Sequence, residues 1–177
     1  KVKDMTRRAI KTSIFIMAPL MMGLAFTSKN IVTLLLTEKW LGCVPYLCIF
    51  CVTFMFYPIH TANLNAIKAM GRSDLFLKLE IIKKAVGVTL LLATMYISPL
   101  AMAYSLLVSG LLSQIINSWP NKKLLNYSYI DQMKDIMPSI ALAIFMGIIV
   151  YLIGLIKLPI IISLIIQIIV GGVIYIA

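Results

Sequence analysis

Residues 136–177, IMPSIALAIFMGIIVYLIGLIKLPIIISLIIQIIVGGVIYIA, hold a single charged side chain, Lys157. A helix rises about 1.5 Å per residue, so roughly 20 residues cross the hydrocarbon core of a bilayer, about 30 Å thick, once. The uncharged stretches on either side of Lys157, 136–156 and 158–177, are therefore each one crossing long. Backbone N–H and C=O groups in lipid have no water to bond, and a helix is the structure in which one segment satisfies its own.

Three further uncharged runs, 12–28, 40–67 and 85–121, stand upstream. The last is too long for one crossing and contains Ser98-Pro99, where proline ends or kinks a helix. The sequence thus predicts an all-α, polytopic membrane helix bundle, a single transmembrane domain over 1–177. Its six transmembrane helices are expected at approximately 13–34, 43–62, 79–97, 100–118, 137–156 and 158–177. Composition agrees. Apolar residues make up 62% and charged residues 12% of the chain, against about 45–50% and about 25% in soluble proteins, and the mean hydropathy is +1.02.

The net charge of +10 would suggest nucleic acid as a partner of a soluble protein, but the positions of the charges argue for none. With a cytoplasmic N-terminus, all 16 basic residues except Lys29, Lys39 and Lys157 fall on the inner side. That is the positive-inside pattern, and it predicts both ends of the segment to be cytoplasmic. The partner of this surface is the lipid bilayer.

Cys48 and Cys51 have a CxxC spacing beside Cys43, yet neither further ligands nor a redox-type fold accompany them. No metal, cofactor or catalytic group is predicted, and the thiols read as small packing residues. Lys29 follows only seventeen uncharged residues and either snorkels at the outer interface or faces a cavity. Trp40 and Tyr46 suit the outer interfacial belt, Tyr127 and Tyr129 the inner one. The second span runs through His60, Asn63, Asn65 and Lys68 to Gly71-Arg72-Ser73-Asp74, the densest polar stretch. Glu80 and Lys84, four apart, are spaced for an ion pair. Ala101, Ser105, Ser109, Ser113 and Asn117, then Ser139, Ala143 and Gly147, then Ser163, Gln167 and Gly171, recur every fourth residue as small-residue ridges for close helix packing; the first also reads as a polar transport surface.

The order of features resembles the C-terminal region of polysaccharide transporters, the O-antigen flippase branch of the multidrug, oligosaccharidyl-lipid and polysaccharide exporter superfamily. A basic arm leads to a span with Pro19 and Gly23, then Ile31 to Leu36, then Thr37-Glu38-Lys39-Trp40, which looks like the family's turn of glycine, any two residues and tryptophan, with Thr37 in the glycine's place. Ala69-Met70-Gly71-Arg72 with Asp74, Lys78 and Glu80 to Lys84 is similar to the family's following inner loop. The resemblance implies a partial C-terminal lobe of a two-lobed transporter in the bacterial inner membrane, with an N-terminal lobe of the same chain as its partner; the opening on Lys1 fits the same expectation. It further implies alternating-access movement of an undecaprenyl-pyrophosphate-linked oligosaccharide. The candidate substrate-binding residues are Lys29, His60, Asn63, Asn65, Lys68 and Arg72, because a pyrophosphate crossing lipid needs cationic or hydrogen-bonding groups facing a hydrated cavity. For each, the alternative is an interfacial or topology-setting role.

Two rival classes are weaker on the residues. An ion-coupled multidrug exporter calls for an intramembrane carboxylate, and the acids cluster at span boundaries. A membrane-embedded polymerase or transferase calls for a large outer loop carrying acids or bases, where the outer connections are short. A purely structural membrane subunit is a third reading, which the sequence alone leaves open. Cysteine-accessibility mapping is expected to label segments 63–78 and 119–135 from the cytosolic side, and labelling from the opposite side would reverse the orientation.

Overall fold

The computed structural model describes residues 1–156 and 158–176; Lys157, expected at an outer connection, and Ala177, the last residue of the final expected span, lie outside the described residues. Among the described residues the chain is all-helical. The helices are α1 (Val2–Leu36), α2 (Val44–Met55), α3 (Tyr57–Ala69), α4 (Ser73–Thr94), α5 (Pro99–Leu125), α6 (Tyr129–Gly154) and α7 (Ile160–Ile176), with a 3₁₀ turn at Glu38–Cys43. Four stretches are long and apolar enough to cross a membrane: Val2–Leu36, Glu38–Ala69, Pro99–Leu125 and Tyr129–Gly154. The fifth apolar helix, α7, is 17 residues long. α4 carries Lys78, Glu80, Lys83 and Lys84 within its length.

Local chemistry accounts for the boundaries. Phe56 separates α2 from α3, and Pro58, which has no N–H to give, sits in the first turn of the new helix. α3 ends at Gly71 in the left-handed region, φ 70°, where Gly71 N donates to Lys68 O at 2.9 Å and Arg72 N to Ile67 O at 3.2 Å. This is the paired closure of a Schellman cap, and glycine suits it because it has no Cβ to strain. The reversal expected at Ser98-Pro99 is built by the Ser98 hydroxyl, which accepts from Ala101 N at 3.1 Å, with Pro99 opening α5. α5 and α6 continue through most of segment 119–135, leaving only a short connection around Asn126, whose φ is 50°. There Ser128 and Asp131 cap one another across the start of α6.

The fold divides into two compact units, Lys1–Ile14 with Phe56–Met137, and Phe15–Met55 with Pro138–Ala177. In the first, α3, α4 and α5 pack on one another around Ile59, Leu64, Ile67, Leu79 and Ala103. A Cβ on Gly87 of α4 would stand 3.3 Å from the Ser109 hydroxyl of α5, so the ridge residue Ser109 marks a close helix approach. In the second, Ala143, Met146, Val150 and Leu164 are buried. Gly147 and Gly171 of the two remaining ridges abut Phe26 and Val150 respectively, and Gln167 donates to Val150 O at 2.9 Å.

Tyr127 departs from its expected place. Rather than in an interfacial belt it is 2% exposed, because its hydroxyl reaches Asp135 at 2.9 Å. The expected Glu80–Lys84 pair is replaced by Glu80–Lys83 at 2.5 Å; Lys83 shares the buried side of α4 with Leu79, whereas Lys84 faces outward.

Thr37 adopts φ 75°, ψ 168°, a region that is open essentially to glycine alone and costs other residues about 1–3 kcal/mol. It is also the position at which the resembling family has glycine. Thr37→Gly is therefore expected to stabilise the protein by about 1 kcal/mol, read as a higher unfolding temperature in detergent; an unchanged or lower value would mean that the backbone does not hold this conformation.

Candidate functional site: a buried amide cluster

Apolar side chains line the outside of the first unit: Leu77, Ile81, Val88, Leu92, Leu106, Leu112 and Ile115 are exposed. Its interior is polar. Asn63 of α3, Asn117 and Asn121 of α5, and Gln132 of α6 are wholly buried, and Gln114 and Ser118 nearly so. In lipid the drive for helices to associate comes from packing and hydrogen bonds rather than apolar burial, and polar side chains turn inward to find partners.

Asn63 is the hub. Its Nδ2 donates to Gln132 Oε1 at 2.7 Å, and Gln132 Nε2 donates back to Asn63 Oδ1 at 3.0 Å. Asn121 Nδ2 also donates to Asn63 Oδ1, at 2.7 Å. Ser118 lies between, 3.3 Å from both Asn63 Nδ2 and Gln132 Oε1. Residues 114, 117, 118 and 121 are three or four apart, so they share one face of α5. One turn earlier on α3, His60 Nδ1 lies 2.7 Å from Asn117 Nδ2, and its ring stacks on Tyr57 with centroids 5.7 Å apart. Three buried carboxamide oxygens, of Gln114, Asn117 and Asn121, have no hydrogen-bond partner among the described residues.

A second cluster gathers around Asp135 of α6. Asp135, whose side chain is 8% exposed, accepts from Arg7 Nε at 2.5 Å and Nη2 at 2.6 Å, from Lys11 Nζ at 3.0 Å, and from the Tyr127 hydroxyl. A fork of two parallel bonds fixes guanidinium and carboxylate in one geometry. Burial first, then the bond to Asp135, push the Tyr127 phenol above its ordinary value.

The sequence-derived candidates are thus distributed. His60 and Asn63 join one buried cluster. Asn65 points elsewhere, exposed, lining a groove of about 260 Å³ with Thr6, Ala9, Ala62, Ala66 and Ala69. The Lys68 ammonium lies 4.3 Å over the centre of the Phe76 ring, a cation–π contact. Arg72 pairs with Asp74 at 3.1 Å on the surface and holds that carboxyl below the usual range. Lys29 is exposed on the portion of α1 that belongs to the other unit. Sequence reasoning did not single out Gln114, Ser118, Asn121, Gln132 or Asp135; the available signal was the recurrence of amides and hydroxyls at one helical face within apolar runs. Among the described residues no three His, Cys, Asp or Glu side chains are grouped to hold a metal, and the three cysteines are free thiols.

Removing one member of a buried polar set leaves its partners unpaired, at about 1–3 kcal/mol. Asn63→Leu is therefore expected to lower stability by about that amount, while Asn65→Leu, at an exposed position, leaves it nearly unchanged. Equal melting temperatures for the two variants would contradict the hub role of Asn63.

Residues 1–45 match the sequence profile of a family described as polysaccharide biosynthesis protein. No curated protein sequence matches the chain significantly. Among solved structures, the lipid II flippase MurJ in an inward closed conformation is similar, with a TM-score of 0.82, 18% identity, and coverage of 99% of this chain. The chain spans 38% of the length of that flippase. The resemblance to polysaccharide exporters therefore rests on a family signature in residues 1–45 and on the fold of part of a flippase along nearly the whole chain.

Proposed function

We propose that the chain is part of a flippase that carries a lipid-linked polysaccharide repeat unit, of O-antigen or capsule type, from the inner to the outer leaflet of the bacterial inner membrane by alternating access. The observation that carries this reading is the pairing of a polysaccharide biosynthesis signature over residues 1–45 with a flippase fold over 99% of the chain. The cargo would be an undecaprenyl-pyrophosphate-linked oligosaccharide, whose charged diphosphate cannot enter a low-dielectric layer unaccompanied. The remaining length of the protein would supply the opposing lobe, and the basic excess would keep both ends of this segment in the cytosol.

The six candidate residues take different parts in this proposal. Asn63 and His60 shape the interior of the first unit. Lys29, Asn65, Lys68 and Arg72 are exposed and are the groups that would meet the anionic or hydroxyl-rich head of the cargo. A second reading, carriage of lipid II itself, draws support from the fold alone.

Two experiments separate these. Cells lacking the corresponding flippase, complemented with the full-length protein, are expected to regain surface polysaccharide; rescue of a lipid II transport defect instead would favour the second reading. In the same assay Arg72→Gln and Lys29→Gln are expected to reduce export several-fold at equal protein level. Unchanged export in both variants would remove them as cargo-binding residues.

A further inference from the structure

His60 is the sole histidine of the chain. It sits half-buried on α3, and its Nδ1 is 2.7 Å from Asn117 Nδ2 on α5. A carboxamide nitrogen only donates, so Nδ1 accepts, which requires a neutral ring carrying its proton on Nε2. The other end of the same carboxamide, Asn117 Oδ1, is buried and has no partner among the described residues. The amide thus spends its donor on the histidine while its acceptor, which a protonated ring would demand, stands idle.

We propose that His60 and Asn117 form a proton-operated amide switch within the α3–α5 contact. A proton from solution adds to the Nδ1 lone pair, and no other covalent bond is made or broken. Nδ1–H then has to donate, and Asn117 meets it by turning its carboxamide over, so that Oδ1 accepts and the amino group swings to the side Oδ1 now occupies. The unpartnered oxygens of Gln114 and Asn121, three and four residues along the same face of α5, are the kind of acceptors that a released amino group seeks. One proton thereby reverses the donor–acceptor sense at the edge of the Asn63 cluster. Two charged groups on α4 act electrostatically on the ring, Lys83 and Glu80, themselves paired at 2.5 Å. From α5 the ring meets neutral Asn117, and from its own helix the Tyr57 ring. As a control on transport the switch rests on the flippase reading, whereas the switch itself is a property of the side chains.

The test is ¹⁵N NMR of the full-length protein in lipid nanodiscs, labelled at histidine and asparagine, with the His60 and Asn117 signals assigned by their loss in His60→Gln and Asn117→Leu. At high pH the ring is expected as the Nε2–H tautomer. On acidification Nδ1 gains a proton, and the Asn117 side-chain amide signals shift over the same pH interval. A neutral ring protonated at Nδ1, a ring that titrates while the Asn117 signals stay fixed, or a ring that does not titrate between about pH 4 and 9, an interval bracketing ordinary imidazole, overturns the switch. The wild-type spectra decide this even if a variant fails to fold. Export assayed across the same pH range reads the flippase proposal separately: coupled signals in a protein that moves no lipid-linked sugar would retain the switch and discard the transporter.

Discussion

The constraint on which the first unit depends is that a polar side chain facing lipid has nothing to bond. Asn63, Asn117, Asn121 and Gln132 are buried completely while leucines and isoleucines cover the outside, the reverse of the arrangement water imposes. The reciprocal bonds between Asn63 and Gln132, with Asn121 and Ser118 closing around them, tie α3, α5 and α6 together by geometry as well as by contact. Apolar side chains alone would leave the register of these helices loosely set, since lipid tails match leucine in polarity. An amide pair has one good alignment.

The same constraint explains the handling of charge. Asp135 is nearly covered and is met by two cations and a phenol. Lys83, covered to a similar degree, lies against Glu80. Charges with weaker or no burial are handled at the surface: Lys29 is exposed, Lys68 lies over the Phe76 ring, and Arg72 pairs with Asp74. Buried charges thus carry their counter-charges with them, whereas exposed ones can rely on water or an aromatic face.

Much of this fold was legible in the chain. The uncharged runs call for helices on length alone, Ser98-Pro99 and Gly71 mark helix ends through hydrogen-bond chemistry that needs only local sequence, and the fourfold ridges place Gly147, Gln167 and Gly171 at contacts. The site was legible only in part. His60 and Asn63 stand out as polar groups in an apolar stretch, but Gln132 lies far along the chain from Asn63, and no periodicity links them. Glu80 was matched to Lys84 by spacing, and the choice of Lys83 instead turns on which face of α4 is covered.

Hydropathy, which depends on neighbours in the chain, determined by itself that this is a helical membrane protein. Local caps set the end of α3 and the starts of α5 and α6. Which amide meets which, why Tyr127 is buried, and why Asn117 is left with an idle oxygen beside a histidine were decided only by tertiary structure. The physical reason is that helix formation is settled by bonds four residues apart, whereas hydrogen bonds between side chains depend on which helix faces are brought together.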